Sequence, residues 1–370
     1  MAIADEDQRF MRRALALAEQ GRGFVEPNPM VGCVIVKDDQ IIGEGFHEKF
    51  GGPHAEINAI ANAGGASLEG STVYVSLEPC CHHGKTPPCT DALLKIKPSR
   101  VVIAMQDPFP KVQGSGIQLL VQSGIQVSVG ACGDEAARLN APFAKVQQRS
   151  KPWVIAKWAM TLDGKLATSS GSSKWISGEA ARAEVHRIRG FCDGVMVGSG
   201  TVKLDDPLLT TRPPGPRTAA RIIFDSQATL SPSSRLIETI ADAPVVVAVS
   251  STARSERLER LAHAGCKLIL CEGNDHAERM ENFLCQLGAQ GMTNVLVEGG
   301  SQLLGLLWDT RQIDEVYTFI APKIAGGTDA ISPIGGRGVL NMEQATNLVR
   351  TDLQSYQETI CLHGFTDFSL

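Results

Sequence analysis

A histidine and a glutamate near residue 55, followed by cysteines near residues 80 and 89, constrain the fold of this chain more than any other feature. His54 and Glu56 lie within Pro-His-Ala-Glu, and Cys80 and Cys89 are the second and last residues of Pro-Cys-Cys-His-His-Gly-Lys-Thr-Pro-Pro-Cys. Zinc prefers histidine nitrogen and cysteine thiolate ligands, and three protein ligands leave its fourth tetrahedral position open for water. If one ion uses these residues, the fold must bring His54 next to a cysteine 26 residues later.

The residues around this motif place its parts at the ends of regular elements. Pro53 is a good helix-opening residue, and a helix is predicted over residues 54–63. Residues 72–77, just before the first cysteine, alternate in the way that a strand does. Several chain segments can converge on one ion where elements begin and end.

The residue types in the motif indicate a class of chemistry. Zinc lowers the pKa of a bound water to roughly 7, so a nucleophile becomes available at neutral pH. His-x-Glu followed by Pro-Cys and a further cysteine is the pattern of zinc-dependent nucleobase deaminases, in which the glutamate moves protons without binding the metal. We predict that His54, Cys80 and Cys89 bind one zinc ion per chain. Glu56 is then the predicted catalytic acid and base.

The spacing of the cysteines departs from the general deaminase pattern. That pattern has two residues between its cysteines, whereas eight residues separate Cys80 from Cys89 here. Cys81 remains an alternative ligand. His-x-Glu alone is also common on surface helices, and free cysteines often pack in a core as small apolar side chains. The prediction therefore depends on the order of the residues and on their positions at element ends.

The long cysteine segment, 79–89, and Pro-Asn-Pro-Met-Val-Gly-Cys-Val-Ile-Val at 27–36 resemble the deaminase half of the bifunctional riboflavin-biosynthesis deaminase–reductase family. The resemblance covers nearly the whole chain, and in the second half it is carried by residues 162–165, 173–177, 205–210 and 297–300. It implies zinc-dependent hydrolytic deamination of 2,5-diamino-6-(5-phosphoribosylamino)pyrimidin-4(3H)-one. It further implies NADPH-dependent reduction of the ribosyl group of 5-amino-6-(5-phosphoribosylamino)uracil to ribityl.

Periodicity predicts two α/β domains, 1–148 and 149–370, joined by the polar segment 145–152. Predicted strands of the first are 32–36, 72–77, 101–104 and 125–129, and its predicted helices are 5–20, 54–63, 89–95 and 114–123. Predicted strands of the second are 153–160, 194–198, 221–224, 245–249, 267–270, 294–297, 315–320 and 358–363, and its predicted helices are 178–189, 253–264, 276–290 and 301–308. The resemblance implies a cytidine-deaminase-like fold, with zinc between two helix N-termini, and then a dihydrofolate-reductase-like fold.

Substrate-binding residues are also predicted for the first domain. An amide offers both donors and acceptors, so Asn28 is a candidate reader of the pyrimidine edge; the alternative is a turn residue between two prolines. His47, His82 and Lys85 are candidates for a cationic cradle around the sugar phosphate. The alternative for each of these three is a solvated surface charge.

Two glycine-rich turns in the second domain, 198–201 and 298–301, follow predicted strands. A helix N-terminus beside glycines can hold a phosphate, although such a short turn is weak evidence for a dinucleotide. The resemblance implies that NADPH binds here and that Lys157 and Asp205 are catalytic. The implied cofactor contacts are Ala159, Trp175, Thr201, Asp205, Ser226, Gly299, Gly300 and Ser301. The implied substrate contacts are Ser173, Arg189, Leu209, Arg212 and Glu298.

Composition and charge limit the classes of molecule that this protein is expected to bind. The 370 residues carry a formal net charge of −5 and no long basic run, which does not favour nucleic acid. No apolar stretch approaches the roughly 20 residues that span a membrane, and residues 2–13 lack the apolar segment of a signal peptide. Ten scattered cysteines indicate reduced thiols plus a metal site, hence the cytoplasm. We expect a small-molecule substrate and a homo-oligomer, a dimer or tetramer.

Two other functions are consistent with parts of the sequence. One is a tRNA or nucleoside deaminase with an appended non-catalytic domain, which would bind zinc but no nicotinamide. The other is a catalytically silent scaffold of the riboflavin pathway, which would be expected to lack Glu56 or a zinc ligand. The chain has Glu56 and all three predicted zinc ligands, His54, Cys80 and Cys89.

Overall fold

The computed structural model describes residues 4–82, 87–109 and 113–367. The chain divides into two compact units, Met1–Ser150 and Lys151–Leu370. The predicted join between residues 148 and 149 falls in the last turn of a helix that ends at Arg149. Among the described residues, no helix combines the length and the apolar character needed to cross a membrane.

The first unit is a five-stranded sheet flanked by helices. Its strands are β1 (Gly32–Lys37), β2 (Gln40–Phe46), β3 (Thr72–Val75), β4 (Arg100–Ile103) and β5 (Gln126–Val129). Its helices are α1 (Asp5–Glu19), α2 (Ala55–Asn62), α3 (Cys89–Ile96), α4 (Ser115–Gln122), α5 (Gly133–Leu139) and α6 (Ala141–Arg149). The sheet order is β2-β1-β3-β4-β5. Strand β1 is antiparallel to both neighbours, whereas β3, β4 and β5 are parallel.

Alternation along the strands gives this sheet two apolar faces. Val34 and Val36 pack with α1 on one face, and Cys33 and Ile35 pack with α2 on the other. Helix α2 lies close to β2 because Gly45 has no side chain: a Cβ there would lie 2.3 Å from a backbone nitrogen of α2. Close packing against the sheet fixes the helix that carries Glu56.

The second unit is built on a nine-stranded sheet of order β10-β9-β8-β7-β11-β6-β12-β14-β13. Its strands are β6 (Trp153–Thr161), β7 (Gly194–Gly198), β8 (Ala220–Phe224), β9 (Val245–Val249), β10 (Lys267–Leu270), β11 (Asn294–Val297), β12 (Glu315–Ala321), β13 (Leu348–Tyr356) and β14 (Thr359–Thr366). Its helices are α7 (Glu179–Arg189), α8 (Ser199–Asp205), α9 (Arg235–Glu238), α10 (Ser255–His263), α11 (His276–Ala289) and α12 (Ser301–Asp309).

Strands β10 to β12 in this order are parallel, and β14 and β13 run antiparallel at one end. Helices α11 and α12 contribute to the apolar core on one face, and α8, α9 and α10 contribute to the core on the other. Parallel strands place their carboxyl ends at one edge, where open α/β sheets bind their ligands. The ends of β8, β7, β11 and β6 therefore lie side by side.

Candidate active sites

Three elements of the first unit bring together the predicted zinc ligands. His54 is the residue before α2, Cys89 is the first residue of α3, and Cys80 lies in the loop between β3 and α3. His54 Nδ1 lies 3.2 Å from Cys89 Sγ and 3.6 Å from Cys80 Sγ. Tetrahedral zinc, with bonds of about 2.0–2.1 Å to nitrogen and about 2.3 Å to sulfur, holds such atoms about 3.6 Å apart. The three side chains therefore fit a zinc ion.

The environment of Cys80 favours its thiolate form. A hydrogen bond from the Cys89 thiol, with others from His54 and the Cys89 amide, lowers the pKa of Cys80 to about 4 against the effect of burial. The Cys89 amide nitrogen lies 3.3 Å from Cys80 Sγ at the N-terminus of α3. Thr90 donates its amide and its hydroxyl to the Cys80 carbonyl, at 3.1 and 3.3 Å. Thiolate is the form in which cysteine binds zinc.

Glu56 lies in the first turn of α2, beside the ligand group but not within it. Its side chain is buried, with 3% of its surface exposed. Burial raises the pKa of the Glu56 carboxyl. A carboxyl group whose pKa is raised towards neutral can both accept and donate a proton under working conditions. The position beside the ligand group and the upward direction of the pKa shift both suit an acid–base group next to the metal.

Cys81, the alternative ligand, lies outside the described group of His54, Cys80 and Cys89. It is half-buried, and burial raises the pKa of its thiol. The distances therefore favour Cys80 and Cys89 over Cys81 as the ligands.

We predict that Cys81→Ser keeps one zinc ion per chain, whereas Cys89→Ser releases it, because Cys89, unlike Cys81, belongs to the group of ligand atoms around His54 Nδ1. Metal analysis of the purified variants measures this directly. Far-ultraviolet circular dichroism serves as the control for folding. Zinc loss from Cys81→Ser together with retention in Cys89→Ser would reverse the ligand assignment.

Asn28 and His47 lie next to this group. Asn28 Nδ2 lies 3.1 Å from His47 Nε2, and His47 Nδ1 lies 2.9 Å from the Pro53 carbonyl. The ring centroids of His47 and His54 are 5.4 Å apart. Since a carbonyl only accepts, Nδ1 carries the proton, and Nε2 accepts from the Asn28 amide.

The structure corrects the predicted cationic role of His47. The side chain is buried, and burial lowers the pKa of the ring. His47 is therefore a neutral hydrogen-bonding residue and not part of a charged cradle. His82 is exposed, and Lys85 lies outside the described residues.

Two further carboxylates near the cysteine loop have no recognisable signal in the sequence. Glu78 accepts four backbone N–H groups, from Gly114 and Gly116 at 2.9 Å, Asp107 at 3.2 Å and Ile117 at 3.3 Å. It thereby ties the start of α4 to the segment that holds Cys80. Burial and the charge of Glu78 raise the pKa of Asp107.

In the second unit, Lys157, Arg189 and Glu298 form one cluster. Lys157 Nζ lies 3.4 Å from Glu298 Oε2, and Arg189 binds both carboxylate oxygens, at 2.5 and 2.9 Å. Burial acts to raise the pKa of Glu298, but the charges of Arg189 and Lys157 hold it at about 2. Glu298 is therefore ionised at neutral pH. Arg189 also donates to the Thr210 carbonyl at 3.1 Å, and Arg212 donates to the Thr210 hydroxyl at 2.9 Å.

The turn after β11 meets the start of α8, the helix that directly follows β7 and includes most of the glycine-rich segment 198–201. The amide of Gly300 donates to Thr201 Oγ1 at 3.2 Å, and Gly300 directly precedes α12, which begins at Ser301. A Cβ on Gly299 would lie 2.7 Å from the Leu303 side chain, so the turn requires glycine there. Hydroxyls and backbone N–H groups at the carboxyl ends of neighbouring parallel strands suit a nucleotide cofactor.

The other predicted reductase residues lie on several elements. Asp205 ends α8 and lies 3.5 Å from Lys174 Nζ. Trp175 is exposed, and the Arg182 guanidinium lies 4.7 Å from its ring centroid. The remaining four are Ala159 on β6, half-buried Ser173, buried Leu209, and Ser226 after β8, whose carbonyl accepts from the Ser250 amide.

Comparisons with known proteins agree with this arrangement. Residues 4–105 match the family model of the cytidine and deoxycytidylate deaminase zinc-binding region, and residues 152–362 match that of the RibD C-terminal domain. Riboflavin biosynthesis protein RibD of Actinobacillus pleuropneumoniae is 41% identical over 356 residues, which cover 96% of this chain and 94% of the relative. The chain belongs to the RibD family. Its Escherichia coli relative is 37% identical over 372 residues, covering 97% of this chain and 99% of that protein.

Two solved structures of the RibD family share the whole fold. Acinetobacter baumannii RibD is 36% identical with a TM-score of 0.85 and covers 98% of this chain and 99% of its own. The diaminohydroxyphosphoribosylaminopyrimidine deaminase/5-amino-6-(5-phosphoribosylamino)uracil reductase of Thermotoga maritima gives the same identity, TM-score and coverage. The predicted family and the predicted α/β fold of both units are therefore confirmed.

Proposed function

We propose that this RibD-family protein catalyses two consecutive steps of riboflavin synthesis, with zinc in the first unit and NADPH in the second. The substrates are those named by the Thermotoga maritima relative, an aminopyrimidine carrying a phosphoribosylamino group and then its deaminated uracil. One observation carries the proposal: the ligand atoms of His54, Cys80 and Cys89 lie within 4.8 Å of one another, beside buried Glu56. This is the arrangement that hydrolytic deamination requires.

In the deaminase, His54, Cys80 and Cys89 would hold zinc, which supplies a nucleophile from water at neutral pH. Glu56 accepts the proton that the attacking water loses. It passes that proton to the ring nitrogen next to the amino-bearing carbon. Glu56 then takes the remaining proton of the former water, from the hydroxyl now on that carbon, and gives it to the amino group, so the carbon–nitrogen bond breaks, ammonia leaves and the carbon becomes a carbonyl. The raised pKa of Glu56 suits both directions of transfer.

Asn28 would bind the pyrimidine, and His47 would orient Asn28. The neutral His47 ring accepts from Asn28 Nδ2, so Asn28 Oδ1 points away from that ring and can accept a hydrogen bond from a substrate N–H. His47 itself is oriented by the Pro53 carbonyl, one residue before His54. The pyrimidine edge is thereby aligned with the metal site.

In the reductase, bound NADPH supplies the hydride. Lys157 is held by Glu298 at the adjoining strand end, where its ammonium group can orient the sugar and donate a proton to the imine nitrogen as the carbon is reduced. Thr201, Ser226 and the turn 299–301 would hold the cofactor. Asp205 would contact both cofactor and substrate from the end of α8.

The phosphate of the substrate is assigned to Arg212. Arg189 directs N–H groups to Glu298 and to the Thr210 carbonyl, so most of its fork is engaged within the protein. Arg212 is exposed, and its side chain donates to the Thr210 hydroxyl. An exposed guanidinium is suited to bidentate phosphate binding.

The function is tested by assaying the purified protein on the diaminopyrimidine substrate. Ammonia release should occur without NADPH, and NADPH oxidation should begin only once the deaminated product is present. Zinc removal should stop ammonia release and leave reduction of added uracil product intact. Ammonia release from cytidine or adenosine, with none from the phosphoribosylamino substrate, would contradict the proposal.

We further propose a homo-oligomer. Leu353 on β13 and Ile360 on β14 are 68% and 47% exposed. Leu353 pairs with Leu362, two residues from Ile360, so all three lie on one face at the end of the sheet. An exposed apolar face of this kind is typical of a protein interface.

Leu353→Asp should shift the protein to a smaller species in light scattering, because a charge would be buried at that interface. Val121→Asp, at an exposed apolar position on α4, is the matched control and should leave the molar mass unchanged. A wild-type protein that is monomeric at micromolar concentration would refute the assembly.

A further inference from the structure

Asn140, at the junction of α5 and α6, binds a residue far away in the sequence. Its side chain is 1% exposed. Its Oδ1 accepts from the Met30 amide at 2.8 Å, and its Nδ2 donates to the Met30 carbonyl at 2.9 Å. The two residues are 110 positions apart. One carboxamide thus satisfies both backbone polar groups of Met30, as a paired strand would.

Met30 closes the segment that carries Asn28. The Met30 side chain is buried against Ala18 and Val25, with Leu139 packed on the same cluster. The Asn28 amide donates to the Val25 carbonyl at 2.9 Å. The Met30 side chain is thus held by apolar packing and Asn28 by its bond to Val25. In the described structure, the Asn140 carboxamide is the hydrogen-bond partner of the Met30 backbone. A buried backbone group that loses such a partner costs free energy, so the segment would shift to recover one.

We propose that Asn140 is a positioning residue for deamination. By holding the Met30 backbone, it sets where the Asn28 amide lies relative to His47 and the zinc ligands, and so it determines how well the pyrimidine is bound. This inference rests on the proposed role of Asn28. Among the described residues, the Asn140 side chain bonds to the Met30 backbone, so its effect on the substrate would pass through the segment 28–30.

The test uses the full-length zinc-loaded enzyme with Asn140→Asp. The aspartate keeps the shape of asparagine and can accept from the Met30 amide, but its carboxylate cannot donate to the Met30 carbonyl. We expect KM for deamination to rise about tenfold, the effect of losing one substrate hydrogen bond. We expect kcat to stay within about twofold, since removing a binding interaction that is uniform along the reaction changes KM alone. Zinc content and NADPH-dependent reduction on the same chain should not change.

Met30→Leu is the matched control, because it alters the buried side chain at similar volume and keeps both backbone bonds. Its KM should stay within about twofold of the wild-type value. If Asn140→Asp does not fold, Asn140→Ser is measured in the same way, because its hydroxyl can still bond one of the two Met30 groups. A change confined to kcat or to zinc content in the folded variant would overturn the positioning role.

A double-mutant cycle with Asn28→Ala separates this inference from the function it rests on. If Asn140 acts through Asn28, adding Asn140→Asp to Asn28→Ala should raise KM by less than about twofold further. Independent, multiplying effects would overturn the role of Asn140 and leave that of Asn28 standing. An Asn28→Ala variant with wild-type KM would instead refute the proposed pyrimidine contact, and with it the route through Asn28.

Discussion

Glu56→Gln should lower ammonia release by about 10²–10⁴-fold while zinc stays bound, because a positioned acid–base group contributes about that much to a rate. Glutamine fills the same space at the start of α2 but cannot take a proton from water. Glu56 is not among the three grouped ligands, so the metal site should survive. The measurement is ammonia release beside metal content in the same preparation.

The second activity of the chain is the internal control for this variant. NADPH-dependent reduction of added deaminated substrate should be unchanged, because Glu56 lies in the first unit and the reductase residues lie in the second. Deamination at the wild-type rate would remove Glu56 from the mechanism. Loss of zinc from Glu56→Gln would show that the carboxylate binds the metal.

The zinc site is predictable from sequence because local signals fix its parts. Pro53, a helix-opening residue, predicts a helix at 54–63, and the observed helix is Ala55–Asn62 with His54 directly before it. The second predicted helix, 89–95, is observed as Cys89–Ile96. Once both helix starts are known, the three ligands need only one long-range contact to meet.

Strand β2 shows where local signals fail. Its sequence, Gln-Ile-Ile-Gly-Glu-Gly-Phe, contains two glycines and lacks clear alternation, so it gives little strand signal. It forms because Asp38 and Asp39 both adopt positive φ, 50° and 59°, in the turn that returns the chain against β1. Two-residue hairpin turns usually contain glycine, so the pair of aspartates is a weak signal for a turn.

The roles of His47, Glu78 and Asn140 depend on neighbours in space. From the sequence, His47 is predicted to be a surface cation. Its burial and its bond to the Pro53 carbonyl, which show otherwise, are known only from the structure. Nothing in the sequence distinguishes Glu78 from an ordinary surface glutamate, yet its carboxylate accepts backbone N–H groups from residues up to 39 positions away. Sequence periodicity predicts which face of a helix or strand is buried. It does not predict which hydrogen-bond partner a polar side chain on that face will have.

The charges around Glu298 explain why the second site tolerates a buried carboxylate. Two cations, Lys157 and Arg189, face one anion, and the cluster therefore keeps a net positive charge at neutral pH. An excess positive charge favours an anionic, phosphorylated substrate. Within the cluster, Lys157 is less tightly paired with Glu298 than Arg189 is, because the two Arg189 contacts are shorter.

Lys157→Ala should lower the reductase rate by about 10²–10⁴-fold, the range for a positioned general acid, and should leave ammonia release unchanged. The protein should fold, because Arg189 still neutralises Glu298 through two hydrogen bonds. The measurement is NADPH oxidation with saturating deaminated substrate. Lys267→Ala, at the start of the peripheral strand β10, is the control for simple loss of a lysine. If Lys157→Ala stays within about twofold of wild type, Lys157 is not the acid, and Asp205 becomes the leading candidate.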